Sequence, residues 1–335
     1  MYRFNQNRIC TAILWGLLIF VCLFETGPAE GVYMVNTGRL GTPISNLPCT
    51  LTQPGLYYVT SNLETTGSGI SVQSPGVVID LMGFTLTGSQ EYEHGIVFET
   101  GAHRGEVRNG RICRFRKGVI SSPNINGIRL FNLQISDNLI GIDLTGTGHV
   151  IEQCTIMDNT GPGIFVSGAS SIIECVIINN VDMGVIADIS PGQGYTIQGN
   201  IVSGNQGRGV HVYENSMIQG NVVQWSDESG IVASEYCKIT GNILFRNNQD
   251  VAPDQAGILV YDHSLINQNC LHWNLYNSIL APGTYSVLES NMLTGSLVGI
   301  VFSGSHNFYK NNRASNFANY SNTGDDTDGG GNIGY

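Results

Sequence analysis

Arg208-Gly-Val-His211-Val-Tyr213 brings a cation, a base and a proton donor within one strand's length. On an extended chain His211 and Tyr213 point to the same side, roughly 7 Å apart. Such a set suits β-elimination on a uronic acid: one group removes the proton beside the sugar carboxylate, His211 or Tyr213 protonates the leaving oxygen, and Arg208 neutralises the carboxylate. An unperturbed histidine titrates near 6.5 and serves as a base at neutral pH, whereas a tyrosine near 10 is the more natural donor. Asp188, Tyr261 and Asp262 fall at matching places on neighbouring repeats. Ordinary polar surface, with a tyrosine packed on its neighbours, explains the same residues and is the expectation.

A second grouping is basic. Arg104, Arg108, Arg111, Arg114, Arg116 and Lys117 lie close together in a chain that has 15 lysines and arginines and a net charge of -11. Spread over one turn of chain they offer a site to an anionic polysaccharide or to lipid headgroups. Glu91, Glu93, Glu99 and Glu106 are near enough to neutralise them, so a salt-bridged face is the simpler expectation. The overall negative charge argues against duplex nucleic acid as a partner, because phosphate binding needs a basic face.

What positions these residues is a repeat. Gly69-Ile70-Ser71-Val72, Gly95-Ile96-Val97-Phe98 and Gly118-Val119-Ile120 begin a series that continues at Gly141, Gly163, Gly184, Gly209, Gly230, Gly257 and Gly299, with Ser278 filling one gap. The steps run from 21 to 27 residues, the excess lying in Gly-, Pro- and Asp-rich insertions. Two further apolar columns follow in each repeat, as at Ile197 and Val202 or Ile218 and Val223. Their odd spacing cannot fit one period-2 strand, so a bend falls between them. Asn200, Asn221, Asn242, Asn269 and Asn291 mark that bend, and Asn138, Asn159, Asn180, Asn205, Asn247 and Asn274, broken at Ser226, mark the next. Asparagine tolerates left-handed backbone, and stacked amides bond to the coil above and below. Three short strands per turn describe a parallel β-helix of roughly eleven coils, on the order of 50 Å long at about 4.8 Å per strand.

The segments LPCTLTQPGLYYVTSNL (47–63), VVIDLMGFTLTG (77–88) and EVRNGRICRF (106–115) resemble the pectin-lyase-like superfamily, in particular secreted bacterial β-helix repeat proteins. The resemblance covers about residues 45 to 317 and implies an all-β, right-handed parallel β-helix. It implies little about activity, because this fold hosts lyases, hydrolases, epimerases, adhesins and binding rods. In its enzymes the substrate groove follows the outer face of one sheet, here the glycine-led strands. The outward row reads Ser71, Val97, Ile120, Asp143, Phe165, Ile186, His211, Val232, Leu259, Leu280 and Val301, which is mostly apolar. A covering loop, a packed partner or exposed β-propensity accounts for such a row better than catalysis along its length. The polygalacturonase-like motifs, the Asp-Pro-His of mannuronan epimerases and the pectate-lyase-like calcium cluster are all missing from the strand columns.

The ends divide from the repeats. Arg3 and Arg8 precede an apolar run from Ile9 to Phe24, with small residues at Gly27 and Ala29, as in an export signal of residues 1–29. A cap segment over 30–54, the β-helix over 55–317 and a polar Gly/Asp-rich tail over 318–335 complete the expected organisation. Asp325, Asp326 and Asp328 lack the spacing of a calcium loop. Cys154 and Cys175 fall in the Asn200 column, where a reduced buried stack is expected. No Cys-x-x-Cys or His/Cys spacing supports a metal, and no cofactor is expected. The composite expectation is a secreted or cell-envelope binding or scaffold module with a polysaccharide ligand and no membrane span after signal cleavage. Its candidate catalytic residues are His211, Tyr213 and Arg208; its candidate ligand residues are Arg108, Arg111, Arg114, Arg116, Lys117, Asp188 and Tyr261. A polysaccharide lyase and a self-associating rod joined through the apolar outer face are the competing readings.

Overall fold

The computed structural model describes residues 41–89, 93–187, 194–321 and 323–334. The proposed export signal, Asp188 and Glu91 lie outside the described residues. Among those described there is no helix; the chain is a right-handed parallel β-helix. Each coil has a strand of the glycine sheet, then a middle strand, then a trailing strand. Val210–Val212, Met217–Gln219 and Val222–Gln224 make one coil, followed by Ile231–Ala233, Lys238–Thr240 and Ile243–Phe245. All pairings are parallel and in register from coil to coil. Inward side chains from the three faces fill one continuous core, in which Ile197, Val202, Val210, Val212, Ile218 and Val223 are fully buried.

The glycine sheet has 13 strands, two more than the eleven the glycine motif marks. The additional strands are Cys49–Leu51 and Ala318–Ser321, which pair in register without that motif. Strands reach from Thr42 to Gly334, beyond 55–317 at both ends. The polar tail supplies corner residues for further strands: Asp326 Oδ1 accepts from the Asn307 N–H at 2.8 Å, and Asn332 Oδ1 from the Asn312 N–H at 3.0 Å. Thr327–Asp328 and Ile333–Gly334 accordingly continue the stack.

All three corners use one device, a left-handed residue followed by a buried acceptor. Between middle and trailing strands, Gly199, Gly220 and Gly241 have φ near +65°, and each precedes a buried asparagine. Asn221 shows the bonding. Its N–H and Nδ2 donate to Asn242 Oδ1 at 2.9 and 3.0 Å, Nδ2 also donates to the Ile197 carbonyl at 2.8 Å, and its own Oδ1 receives both donors of Asn200. Cys154 and Cys175, both free thiols, precede Asn200 in this stack, and the Cys175 N–H donates to Asn200 Oδ1. At the trailing-to-glycine corner Asn138, Asn159, Asn180 and Asn205 bond alike.

This second stack explains the glycines. A Cβ on Gly163 would meet the Gly184 carbonyl oxygen and Asn180 Nδ2, each at 2.8 Å. Ser278 is the exception, and its corner partner on the next coil is Ser296 instead of asparagine; the two hydroxyls bond at 2.8 Å. The smaller partner makes room for the larger residue.

Two stability predictions follow from the corners. Asn221→Leu keeps the volume but strands the N–H groups that the amide pairs, and should cost about 1 to 3 kcal/mol; an unchanged melting temperature would remove this role. The second concerns His149, a buried corner residue whose Nδ1 accepts from the Ile128 N–H at 3.3 Å. Burial pushes its pKa down to about 4. Unfolded histidine binds its proton below about 6.5, so the unfolded state takes up the proton first, and the fold should lose up to about 3 kcal/mol as pH falls from there to about 4. His149→Asn, which keeps an acceptor that cannot titrate there, should flatten this acid dependence; an identical slope in the variant would refute the assignment.

Candidate functional site

The structure brings Arg208, His211 and Tyr213 together. His211 projects outward from Val210–Val212, between Ile186 and Val232 on the flanking strands. Arg208 Nη1 lies 3.3 Å from His211 Nδ1, and the His211 and Tyr213 rings are 5.4 Å apart. The arrangement is less suited to proton abstraction than the spacing alone implies. With Arg208 donating, the Nδ1 lone pair that a base would use faces a guanidinium. Arg208 Nε is in turn bound to Glu228 Oε2 at 3.1 Å, so a carboxylate already occupies the cation a uronate would need. Tyr261 is exposed on the same outer row as Tyr213, two strands or about 10 Å away. Asp262 Oδ1 accepts from the Thr284 hydroxyl at 3.1 Å.

The basic cluster does not converge. The coil winds its members onto different faces: Arg108 and Arg111 stand on the middle and trailing parts of Glu106–Cys113, whereas Lys117 is on the glycine sheet. Arg108 pairs with Asp80 and Glu106, Arg111 with Asp137, and Lys117 with Asp143. Arg114 and Arg116 are exposed beside the corner leading to Lys117–Ser121.

Part of the apolar outer row is closed within the chain. Val232, Leu259 and Leu280 are buried and pack with Ala256 and Val301. The insertion before Ala256 is tied down beside them: Asn277 Nδ2 donates to the Pro253 and Gln255 carbonyls, and the Ser229 N–H to Gln255 Oε1. These residues offer no flat apolar face for self-association.

The exposed residues of the corners lie outside the candidates that the sequence suggests. At the trailing-to-glycine corner the left-handed slot holds Asp137, Asp158, Asn179 and Gly204, residue types suited to it, and then Trp225, Arg246 and Trp273 at φ of 58, 52 and 53°. Bulky residues are disfavoured there by about 1 to 2 kcal/mol each. The three side chains form one platform. Arg246 Cζ lies 4.8 Å from the Trp225 ring centroid and 5.1 Å from that of Trp273, with Phe245 beneath at 5.3 Å. His272 stacks on Trp273 at 4.5 Å. Trp225 is 39% and Trp273 43% exposed. The next slot residue is Gly295, where a Cβ would meet Trp273 Cδ1 at 1.9 Å, so the glycine seats the indole. The glycine-to-middle corner carries a second exposed stripe, Tyr236, His263, Tyr285 and His306, also left-handed, with successive rings 5.0 to 5.3 Å apart. The signal was present in sequence: aromatic and arginine residues stand immediately before the Asn column, where the repeats from Asp137 to Gly204 place Asp, Asn or Gly and an earlier one places Arg114.

The sequence profile of the family described as "Periplasmic copper-binding protein (NosD)" matches residues 61–268. The chain belongs to the NosD family. No curated protein matches this NosD-family chain in sequence. Among solved structures it is similar to the Azotobacter vinelandii mannuronan C-5 epimerase AlgE6 A-module, with a TM-score of 0.67 and 12% identity over 84% of this chain and 91% of that one. The catalytic unit of the GH87 α-1,3-glucanase from Streptomyces thermodiastaticus strain HF3-3 also gives 0.67, at 15% identity over 84% of this chain but 63% of the glucanase. The Dettilon tailspike protein gives 0.51 at 11% identity, over 83% of this chain and 62% of that one. These likenesses show the fold.

The family description names copper, which favours converging thiolate, thioether and imidazole donors. Among the described residues no three His, Cys, Asp or Glu side chains converge on a metal position. Contact with the Cys175 sulfur, together with burial, pushes the Cys154 thiol well up, and burial takes Cys237 to about 11, so both favour the protonated form. Cys270, His272 and Met292 share one outer face, but His272 Nδ1 is bonded to Thr294 Oγ1 and Arg246 places a positive charge beside that ring. The described residues of this NosD-family chain do not fit a copper site.

The engaged Arg208 and His211 generate an enzymatic prediction. The purified protein should leave the ultraviolet absorbance of pectate, alginate and glycosaminoglycan solutions unchanged, because no unsaturated sugar ends form. A steady rise that disappears in both His211→Ala and Tyr213→Phe would establish the lyase instead.

Proposed function

We propose that this protein is an exported, non-catalytic module that binds a polysaccharide chain along its trailing corner. The observation that carries this reading is the platform of Trp225, Arg246 and Trp273. Three bulky residues hold backbone conformations that neighbouring coils give to Asp, Asn or Gly, and the result is two partly exposed indoles clamped by a guanidinium. Sugar rings are apolar on their C–H faces and polar at their edges, so an indole face with a donor beside it complements them. Successive coils place Trp225 and Trp273 about 10 Å apart along the stack, comparable to the length of a disaccharide. The fold neighbours support the reading, since their names describe a mannuronan epimerase, a glucanase and a tailspike. Export is supported by the signal-like residues 1–29 and by the family's periplasmic description. No helix among the described residues is long and apolar enough to cross a membrane.

The convergence of Arg208, His211 and Tyr213 favours one alternative, a lyase acting by β-elimination at the glycine sheet. The two readings use different faces of the coil and separate cleanly by mutation. Trp225→Asn combined with Trp273→Asn should weaken retention on immobilised polysaccharide by at least about tenfold, equivalent to roughly 1.4 kcal/mol, with the melting temperature held because asparagine tolerates the left-handed slot. His211→Ala should leave retention unchanged. The opposite pattern would move the site to the glycine sheet.

A further inference from the structure

The platform holds a cation whose partner is not a carboxylate of the described residues. Arg108, Arg111, Arg129 and Arg208 are all ion-paired on the coil surface. Arg246 has no ion pair among the described residues; its guanidinium instead lies against Trp225, Phe245 and Trp273. This happens in a chain with 26 acidic residues, one of them just after Trp225 at Asp227 and another just after Arg246 at Asp250. Those two do not neutralise it. No ion pair joins either of them to Arg246 among the described residues. Aromatic faces attract a guanidinium but leave its N–H edge unsatisfied, and that planar edge matches a carboxylate in bidentate fashion.

We infer that the Trp225–Arg246–Trp273 corner is specific for carboxylate-bearing sugars, taking a uronic-acid disaccharide unit of a chain that lies along the helix axis. This rests on the polysaccharide-binding reading and names its ligand class. Each indole stacks one pyranose ring, and Arg246, on the coil between them, pairs with the carboxylate of one of the two. The position is fixed by the coil rise: Arg246 and the indoles hang from successive left-handed slots whose N–H groups bond to the next coil, Trp225 to Phe245, Arg246 to His272 and Trp273 to Thr294. Gly295 holds the Trp273 end of the platform in place.

Calorimetric titration of the full chain with oligogalacturonate, with the same oligomer after reduction of its carboxyls to hydroxymethyl groups, and with oligomannuronate tests the inference. The wild type should bind at least one uronate oligomer about ten- to a hundredfold more tightly than the reduced oligomer, the range of one charge-assisted pair. That preference should fall with added salt. Arg246→Gln should erase the preference while leaving the weak affinity for the reduced oligomer unchanged, and Gly295→Ala, which displaces the Trp273 indole, should weaken both. Equal affinity for the charged and reduced oligomers in the wild type would overturn the carboxylate assignment and leave polysaccharide binding standing. Binding of none of the oligomers would overturn both. A charge preference that survives Arg246→Gln would place the carboxylate elsewhere and overturn this site.

Discussion

Every coil depends on the next through a buried corner acceptor. A tight corner turns backbone N–H groups into an interior that water does not reach, where an unpaired donor costs about 1 to 3 kcal/mol. Helices and flat sheets solve this with backbone carbonyls alone. Here a side chain must supply the acceptor, and it must come from the equivalent corner of the following coil, so coils of differing length still have to meet corner on corner. The 21- to 27-residue steps are therefore absorbed in surface loops, and the strands stay in register.

From this constraint follows a division of labour within each corner. The inner residue is mostly Asn, Ser or Cys, with His149, Tyr195 and Asp326 among the exceptions, and its backbone N–H answers to hydrogen bonding. The outer residue answers only to the backbone, which must turn left-handed. Asp, Asn and Gly satisfy that at least cost, and they fill most slots. Any other residue in the slot is carried against the local preference, and its side chain points away from the core. Tryptophan, arginine, tyrosine and histidine there are thus separable from folding in a way that strand residues are not. The glycine sheet is less free. Its outer row includes residues that the chain itself covers, and its cation and base are bonded to each other and to Glu228.

The architecture was legible because its determinants are periodic. Glycine, the two apolar columns and the Asn stacks each recur at one phase, and the register follows from aligning them. The two terminal coils were not, since Cys49–Leu51 lacks the glycine and the tail presents its corner residues, Asp326 and Asn332, in a sequence that composition alone marks as polar and loose. The site was legible only in part. His211 and Tyr213 do share a face with Arg208, because a two-residue spacing on a strand has one outcome. Whether that arginine is available depended on Glu228, which is remote on the linear repeat but adjacent on the stack. The basic run failed for the complementary reason: residues close in sequence are carried round the coil onto separate faces. Trp225, Arg246 and Trp273 are spread over 49 positions and converge, because each stands at the same phase of its repeat.

Phase is thus the quantity that carries function in this fold, and exceptions within a phase are its most informative residues. Ser278 departs from the glycine column, and Ser296 departs from the Asn column opposite it; the pair is compensated, and core geometry accounts for both. Among the described residues the slot exceptions have no such compensation. Nothing in the corner requires an indole where a glycine suffices at Gly204, and the guanidinium between the indoles has no carboxylate partner among the described residues, unlike Arg108, Arg111, Arg129 and Arg208. A departure that the fold balances is structural, whereas one that it leaves unbalanced at the surface points outward, to a ligand that completes it.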